Sequence, residues 1–455
     1  MSRLQRTRPR PPVRALHLGL GSFFRAHQAW FTHAATDGAE WGIAAFSGRS
    51  ASLADALSGQ DCLYLLDVRD PGGDRYEVME SVVAAYPGSD ARAWTDYWAD
   101  PQVRYVTLTV TEAGYHLDRS RSLDERDVEV AADIDALRRG AAPDLVGLRT
   151  APGRVVSGLR ARRAADAGPI ALVPCDNLPN NGAALATAVS AVARRVDPSL
   201  AEWIEASATF VSTVVDRITP ATTDADRARV ASDTGLADLA PVVTEPFADW
   251  VLGTDPGPSL PMWGTAGAIW TSDTAVYEAR KLTLLNGSHS LLAYAGPLRG
   301  HATVADAIAD DACRSWVEEW WDEACAHLPM APDALAGYRS ALLERFSNSA
   351  IEHRLAQIAQ DGSLKLPVRV LPTLRAERAA GRVPTGAARV IAAWVLSLRT
   401  SAGPASDPRA AELVELAGGP LRLGVRRVLG DLDPPLAEDV ELVAAVVALA
   451  EEIAG

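Results

Sequence analysis

The most constraining stretch of the chain is RALHLGLG at residues 14–21, a short apolar run closed by Gly-x-Gly. It is followed at 22–35 by SFFRAHQAWFTHAA, whose apolar residues recur at helical spacing. Strand, glycine turn and helix in that order open a dinucleotide-binding unit. Gly19 allows the tight turn, and Gly21 lets the backbone approach a pyrophosphate at the start of the helix, where Phe24 and Arg25 follow. The third glycine of the usual fingerprint is missing from the run Ser22-Phe23-Phe24-Arg25, so the motif alone is weak.

Its context strengthens it. Runs at 41–46 (WGIAAF), 104–114 (RYVTLTVTEAG), 169–178 (PIALVPCDNL) and 208–220 (ATFVSTVVDRITP) have the apolar content of strands, and helical periodicity fills 125–139 and 182–195 between them. Ligands of open α/β sheets sit at the carboxyl ends of the strands. The polar residues there are Thr111, Glu112, Asp176, Asn177 and Asp216, with Arg49 after the second strand. From residue 271 strand-like alternation gives way to helices at 273–297, 303–327, 332–347, 350–360, 386–400, 407–417 and 436–453. The chain, at 455 residues, is long for one core. The reading is α/β: a Rossmann-like cofactor-binding domain over 1–270, then a mostly α-helical substrate and catalytic domain over 271–455.

Charge and cysteine content exclude several classes. A formal net charge of −14 opposes nucleic acid and anionic membranes. The basic first fourteen residues, MSRLQRTRPRPPVR, lack a signal-peptide core and are expected to be a disordered arm. No run has the roughly 18 apolar residues of a membrane span. Cys62, Cys175, Cys313 and Cys325 form no C-x-x-C pair or zinc-finger pattern, so reduced thiols in a cytoplasmic protein without a metal are expected. Among 44 basic residues only Lys281 and Lys365 are lysines. Arginine cannot lose its proton near neutral pH, whereas a buried lysine can, so a site needing a titratable amine could not exchange one for the other.

Lys281 opens the most informative segment, KLTLLNGSH within YEARKLTLLNGSHSLLAYAG at 277–296. At about 100° per residue an α-helix places Glu278, His289 and Asn286 roughly 60°, 80° and 140° from Lys281, one polar sector amid leucines. Such a cluster is either an internal network fixing helix packing or the wall of a cleft. The chemical types suit a cleft: a desolvated lysine can serve as general base, and asparagine amides can stabilise a developing alkoxide.

These motifs resemble the long-chain polyol dehydrogenase family, which includes mannitol 2-dehydrogenase and the reductases of fructuronate and tagaturonate. The matching stretches are HLGLGSFFRAHQ (17–28), TVTEAGYH (109–116), CDNLPNNG (175–182), VDRITPATT (215–223), TEPFADWV (244–251), KLTLLNGSH (281–289) and DGSLKLPVR (361–369), in family order. The resemblance implies a metal-free mechanism. In it Lys281 moves the hydroxyl proton, Asn177 and Asn286 hold the reacting oxygen, and His289 binds the neighbouring hydroxyl. Asp216 lies near the lysine, and Glu278 links it to solvent. Lys365 stands at a further polyol contact, while Gln357 falls where some relatives have arginine. Arg354, Arg369 and Arg375 lie in the region where a uronate would need cationic partners. The resemblance implies NAD as cofactor, but the second strand ends in Ser47, Gly48 and Arg49 with no acid, which leaves NADP open. It further implies a monomer acting on a small polyol, ketose or sugar acid. A non-catalytic cofactor- or sugar-binding protein on the same fold is the other class, and the intact Lys281, Asn286 and His289 set speaks against it.

Overall fold

The computed structural model describes residues 1–48, 50–118, 120–140, 147–253, 260–400 and 407–455. The chain divides into two units, Met1–Ala275 and Val276–Gly455.

The first unit is built on six strands, β1 (Val13–Leu18), β2 (Gly42–Phe46), β3 (Val82–Tyr86), β4 (Tyr105–Leu108), β5 (Ile170–Pro174) and β6 (Ala208–Phe210). All pair in parallel, in the order β3-β2-β1-β4-β5-β6. This is the doubly wound order, with its reversal between β1 and β4. The strands read as nearly unbroken apolar runs because both faces are covered. Leu16, Leu18, Ala44, Phe46, Val106 and Leu108 enter one core, while Ala15, Ile43, Ala45, Tyr105 and Val173 enter the other. The alternation follows from the two-residue period of a strand.

Several elements depart from the sequence reading. The stretch expected as one strand over 208–220 is two: β6 stops at Phe210, and Thr213–Asp216 runs antiparallel to Asp249–Gly253 in a separate sheet. Residues 22–35 form two helices, Ser22–Ala26 and Gln28–Ala34, broken at His27. The amino-terminal arm is not disordered. Ser2–Arg3 pairs with Leu236–Ala237, Arg6 donates to the carbonyls of Glu80 and Val82, and Arg6 and Arg10 both reach Asp61. Its arginines find carbonyl and carboxylate acceptors, which composition alone does not reveal.

The second unit is helical. Thr385–Leu398 is buried along most of its length, as an apolar helix inside a bundle must be. It packs against Ser288–Leu298, Asp311–Cys325 and Val440–Ala454. Helices at Gly362–Arg369, Leu371–Ala379 and Leu421–Leu432 were not foreseen from the sequence, and prolines at 367 and 372 obscured the first two. Among the described residues no helix is long and apolar enough to cross a membrane.

Candidate active site

In the first unit a cavity of about 950 Å³ opens at the carboxyl ends of β1 to β4. Its lining includes Gly19 after β1, Gly48 after β2, Gly88 after β3 and Thr109–Thr111 after β4. The turn after β1 is tied on both sides: Gly19 and Leu20 donate their N–H groups to the Phe46 carbonyl, and the Thr109 hydroxyl donates to the Gly19 carbonyl at 2.8 Å. His17 lies between the Thr107 and Thr109 hydroxyls and stacks on Phe24, and burial lowers its pKa to about 3, so the ring is neutral. Gly19 has φ +109°, and a Cβ there would fall onto the Thr109 carbonyl oxygen. In this cradle the glycine turn lets backbone come close to a ligand, which fits a bound dinucleotide.

Not every cofactor candidate joins the cavity. Gly21 is the N-cap of Ser22–Ala26, and Thr111 lines the cavity, whereas Glu112 is exposed at the start of a 3-10 turn. The Phe24 side chain is sealed in the core. That of Arg25 is also buried, donating to the Ala240 carbonyl beside the Tyr64 ring. Both side chains face inward because they open a helix packed against the sheet, which leaves the backbone at the start of that helix as the part turned to the glycine turn. Arg49 lies outside the described residues. Sequence reasoning missed Arg154, a buried cation that lines the cavity, donates to the Gly88 carbonyl and is shifted by burial to about 10.

The end of β5 carries the CDNLPNNG motif. Asn181 is fully buried, donating to the carbonyls of Asp176 and Thr213 and accepting from the Thr213 N–H at 2.8 Å. It joins β5 to the strand whose last residue is Asp216. Gly182 belongs to the same junction, where a Cβ would lie 2.5 Å from the Ser212 nitrogen. Asn177 sits exposed just beyond β5. Asp176 accepts from the Tyr115 hydroxyl, and burial pushes its carboxyl up to about 6.

That shift has a stability consequence. A carboxyl with a higher pKa folded than unfolded holds more protons in the folded state between about 4 and 6. Its contribution is therefore present below pH ~4 and lost as pH rises through about 6. Asp176→Asn, which still accepts from Tyr115, is expected to raise the melting temperature of ligand-free protein at pH 8 by a few degrees. The basis is ~1–2 kcal/mol, discounted for partial exposure, at about 2–4 °C per kcal/mol. The gain should shrink toward pH 4; calorimetry showing an equal gain at both pH values would contradict it.

In the second unit the decisive feature is a π-helix, Lys281–Gly287, between the helices Thr274–Arg280 and Ser288–Leu298. π-helical pairing runs i→i+5, so five residues come close to a full turn. Lys281 and Asn286, five apart, therefore share a face far more closely than the α-helical arithmetic allows. His289, one turn on, is buried against Phe346 and His353 with ring centroids 5.1 and 5.0 Å away. Burial, with the nearby charges of His353, Arg345, Arg369 and Lys281, holds its pKa well below the usual value, so it is neutral. Arg369 donates to the Asn286 carbonyl at 3.4 Å and the Ser290 hydroxyl at 3.2 Å. Lys365 donates to the Ile358 carbonyl, and burial, then Arg369, lowers its pKa. Glu278 lies in the helix leading to Lys281, and Gln357 is exposed on Leu355–Ile358. Arg354 does not join Arg369: its guanidinium pairs with Glu352 in an exposed ion pair at 2.9 Å. Arg375 likewise pairs with Asp433. Arg345 and His353, which sequence reasoning missed, are found only through the fold.

The profile of the mannitol dehydrogenase Rossmann domain matches residues 13–260, and that of the mannitol dehydrogenase C-terminal domain matches 273–417. The chain belongs to the mannitol dehydrogenase family. It is 35% identical over 401 residues to the mannitol 2-dehydrogenase of Cereibacter sphaeroides, covering 85% of this chain and 82% of that protein. It is 36% identical over 373 residues to the D-mannonate oxidoreductase of Escherichia coli, covering 80% and 75%. The Pseudomonas fluorescens mannitol 2-dehydrogenase, solved as a ternary complex with NAD and D-mannitol, superposes with a TM-score of 0.78 at 32% identity, covering 97% of this chain and 92% of that one.

Proposed function

We propose that this member of the mannitol dehydrogenase family is a nicotinamide-dependent oxidoreductase interconverting a polyol and a ketose, with Lys281 as the proton-transferring group and no metal required. The observation that carries the proposal is the π-helix, which turns Lys281 and Asn286 to one face beside a buried neutral His289. The nicotinamide, when bound, takes up the hydride from the carbinol carbon or returns it.

The chain's own residues do the rest. Gly19, Gly21 and Thr111 hold the dinucleotide, which we take to be NAD. NADP stays in play because Ser47 and Gly48 put no carboxylate at the end of β2. Lys281 takes the hydroxyl proton during oxidation and gives it back during reduction. Asn177 and Asn286 donate N–H groups to the oxygen as its charge grows. Uncharged His289 holds the adjacent hydroxyl, Asp216 orients the lysine, and Glu278 passes its proton to water. Lys365 and Arg369 bind the far end of the substrate. The enzyme is taken to act in the cytoplasm as a monomer, which sedimentation of the purified protein tests.

One observation favours a second reading, a sugar-acid substrate. Among the described residues no carboxylate ion-pairs with Arg369, whose guanidinium is largely buried. A buried cation with only neutral acceptors suits a uronate carboxylate. Loss of reduced-cofactor absorbance, followed with NADH and NADPH against fructose, fructuronate and tagaturonate, separates the readings. Turnover of fructose supports the polyol assignment, turnover of a keto acid the second. Turnover of none with either cofactor sinks both.

A further inference from the structure

A π-helical run holds one more residue than the α-helical pairing accommodates, so the switch of register leaves carbonyl oxygens short of N–H partners. A buried carbonyl without a donor is costly, and the run would relax to α-helix unless donors from outside supplied the deficit. Here they do. The Trp320 indole N–H donates to the Thr283 carbonyl at 3.0 Å, and the Trp321 indole N–H donates to the Leu284 carbonyl at 2.9 Å. The Ser288 hydroxyl also reaches the Leu284 carbonyl, at 2.6 Å, and the Asn286 carbonyl receives the Ser290 hydroxyl and Arg369.

The two tryptophans are consecutive, fully buried on the helix Asp311–Cys325, and address consecutive carbonyls of the π-helix. The Trp320 ring also lies against Gly287, where a Cβ would come within 2.7 Å of it. Adjacent residues of an α-helix point about 100° apart, yet both indoles converge on neighbouring carbonyls of the π-helical run.

We propose that Trp320 and Trp321 are positioning residues: their indole donors hold residues 281–287 in the π-helical form that brings Lys281 and Asn286 to one face. The proposal rests on the function argued above for Lys281. With the donors gone, the segment relaxes toward α-helix, and Asn286 turns away from Lys281.

The test is the pair Trp320→Phe and Trp321→Phe, singly and together, in the full-length protein. Three readouts apply: steady-state kinetics across pH, the cofactor dissociation constant, and a structure or amide hydrogen exchange of residues 283–288. The double variant is expected to lose at least about tenfold in kcat, as a displaced catalytic group does. The pH at half-maximal kcat should move, exchange at 283–288 should rise, and cofactor affinity should stay within about twofold, because the cradle lies in the other unit. Gly287→Ala, which displaces the Trp320 ring while keeping its N–H, should give the same kinetic signature and serves if the double variant fails to fold. A π-helix that persists unchanged in the double variant, or a kcat and pH profile like wild type, overturns the proposal. A π-helix that is lost while kcat is kept would instead overturn the roles of Lys281 and Asn286.

Discussion

Replacing Lys281 with alanine is expected to lower kcat at neutral pH by about 10³-fold or more, ~4 kcal/mol of transition-state stabilisation. The loss should fall on kcat and kcat/KM alike, because the amine acts on the proton in flight rather than on the resting substrate. Lys281→Arg should be nearly as inactive: it keeps the positive charge, but a guanidinium does not deprotonate near neutrality and so cannot receive the hydroxyl proton. Cofactor affinity should be within about twofold of wild type in both, since no part of the glycine cradle is changed. A stopped-flow measurement of hydride transfer across pH decides the matter. A loss under about tenfold, or an active arginine variant, would mean that Lys281 only binds substrate.

How far the sequence carries this picture can be followed residue by residue. The strand-turn-helix at 13–26 and the strands at 42–46, 105–108 and 170–174 are legible because parallel strands covered on both faces are written as unbroken apolar runs. β3, Val82–Tyr86, is not legible because its alanines and flanking polar residues blur the run. The docked amino-terminal arm is not legible for another reason: its composition is that of a loose tail, and Asp61, Glu80 and Val82, which hold it, are far away in sequence. The inward direction of the Phe24 and Arg25 side chains is not legible in the sequence, because the direction of a side chain on a short helix is settled by packing.

The candidate site divides in the same way. Lys281, Asn286 and His289 could be singled out by chemical type and by the scarcity of lysine. Their relative directions could not, because the α-helical period is the only one a sequence pattern suggests. The π-helix depends on donors from a helix some 37 residues further along. Nothing local to KLTLLNGSH announces them. Arg345 and His353, beside His289, were invisible for the same reason.

The second large effect is expected at the cofactor cradle, where Gly19→Ala should damage both folding and binding. At φ +109° the added Cβ is strained whatever the space, and it would meet the Thr109 carbonyl, a backbone atom that cannot rotate away. Strain of this kind costs about 1–3 kcal/mol, and displacing a backbone carbonyl adds to it. The first unit should therefore melt roughly 5–10 °C lower, and cofactor affinity should fall about 100-fold as the turn shifts under the dinucleotide. Gly21→Ala makes the informative contrast. There φ is −147°, and the nearest atom to a Cβ is the Gly19 carbonyl oxygen at an ordinary 3.5 Å. That variant should keep its melting temperature within about 2 °C, since free protein has room for the methyl group. It should still lose affinity if the backbone at 21 lies against the pyrophosphate, because the methyl group would occupy the space of approach. Titration of cofactor into both variants, alongside thermal melts, tells the turn apart from the contact. Should Gly19→Ala bind and melt like wild type, the cavity at the ends of β1 to β4 would not be where the dinucleotide sits.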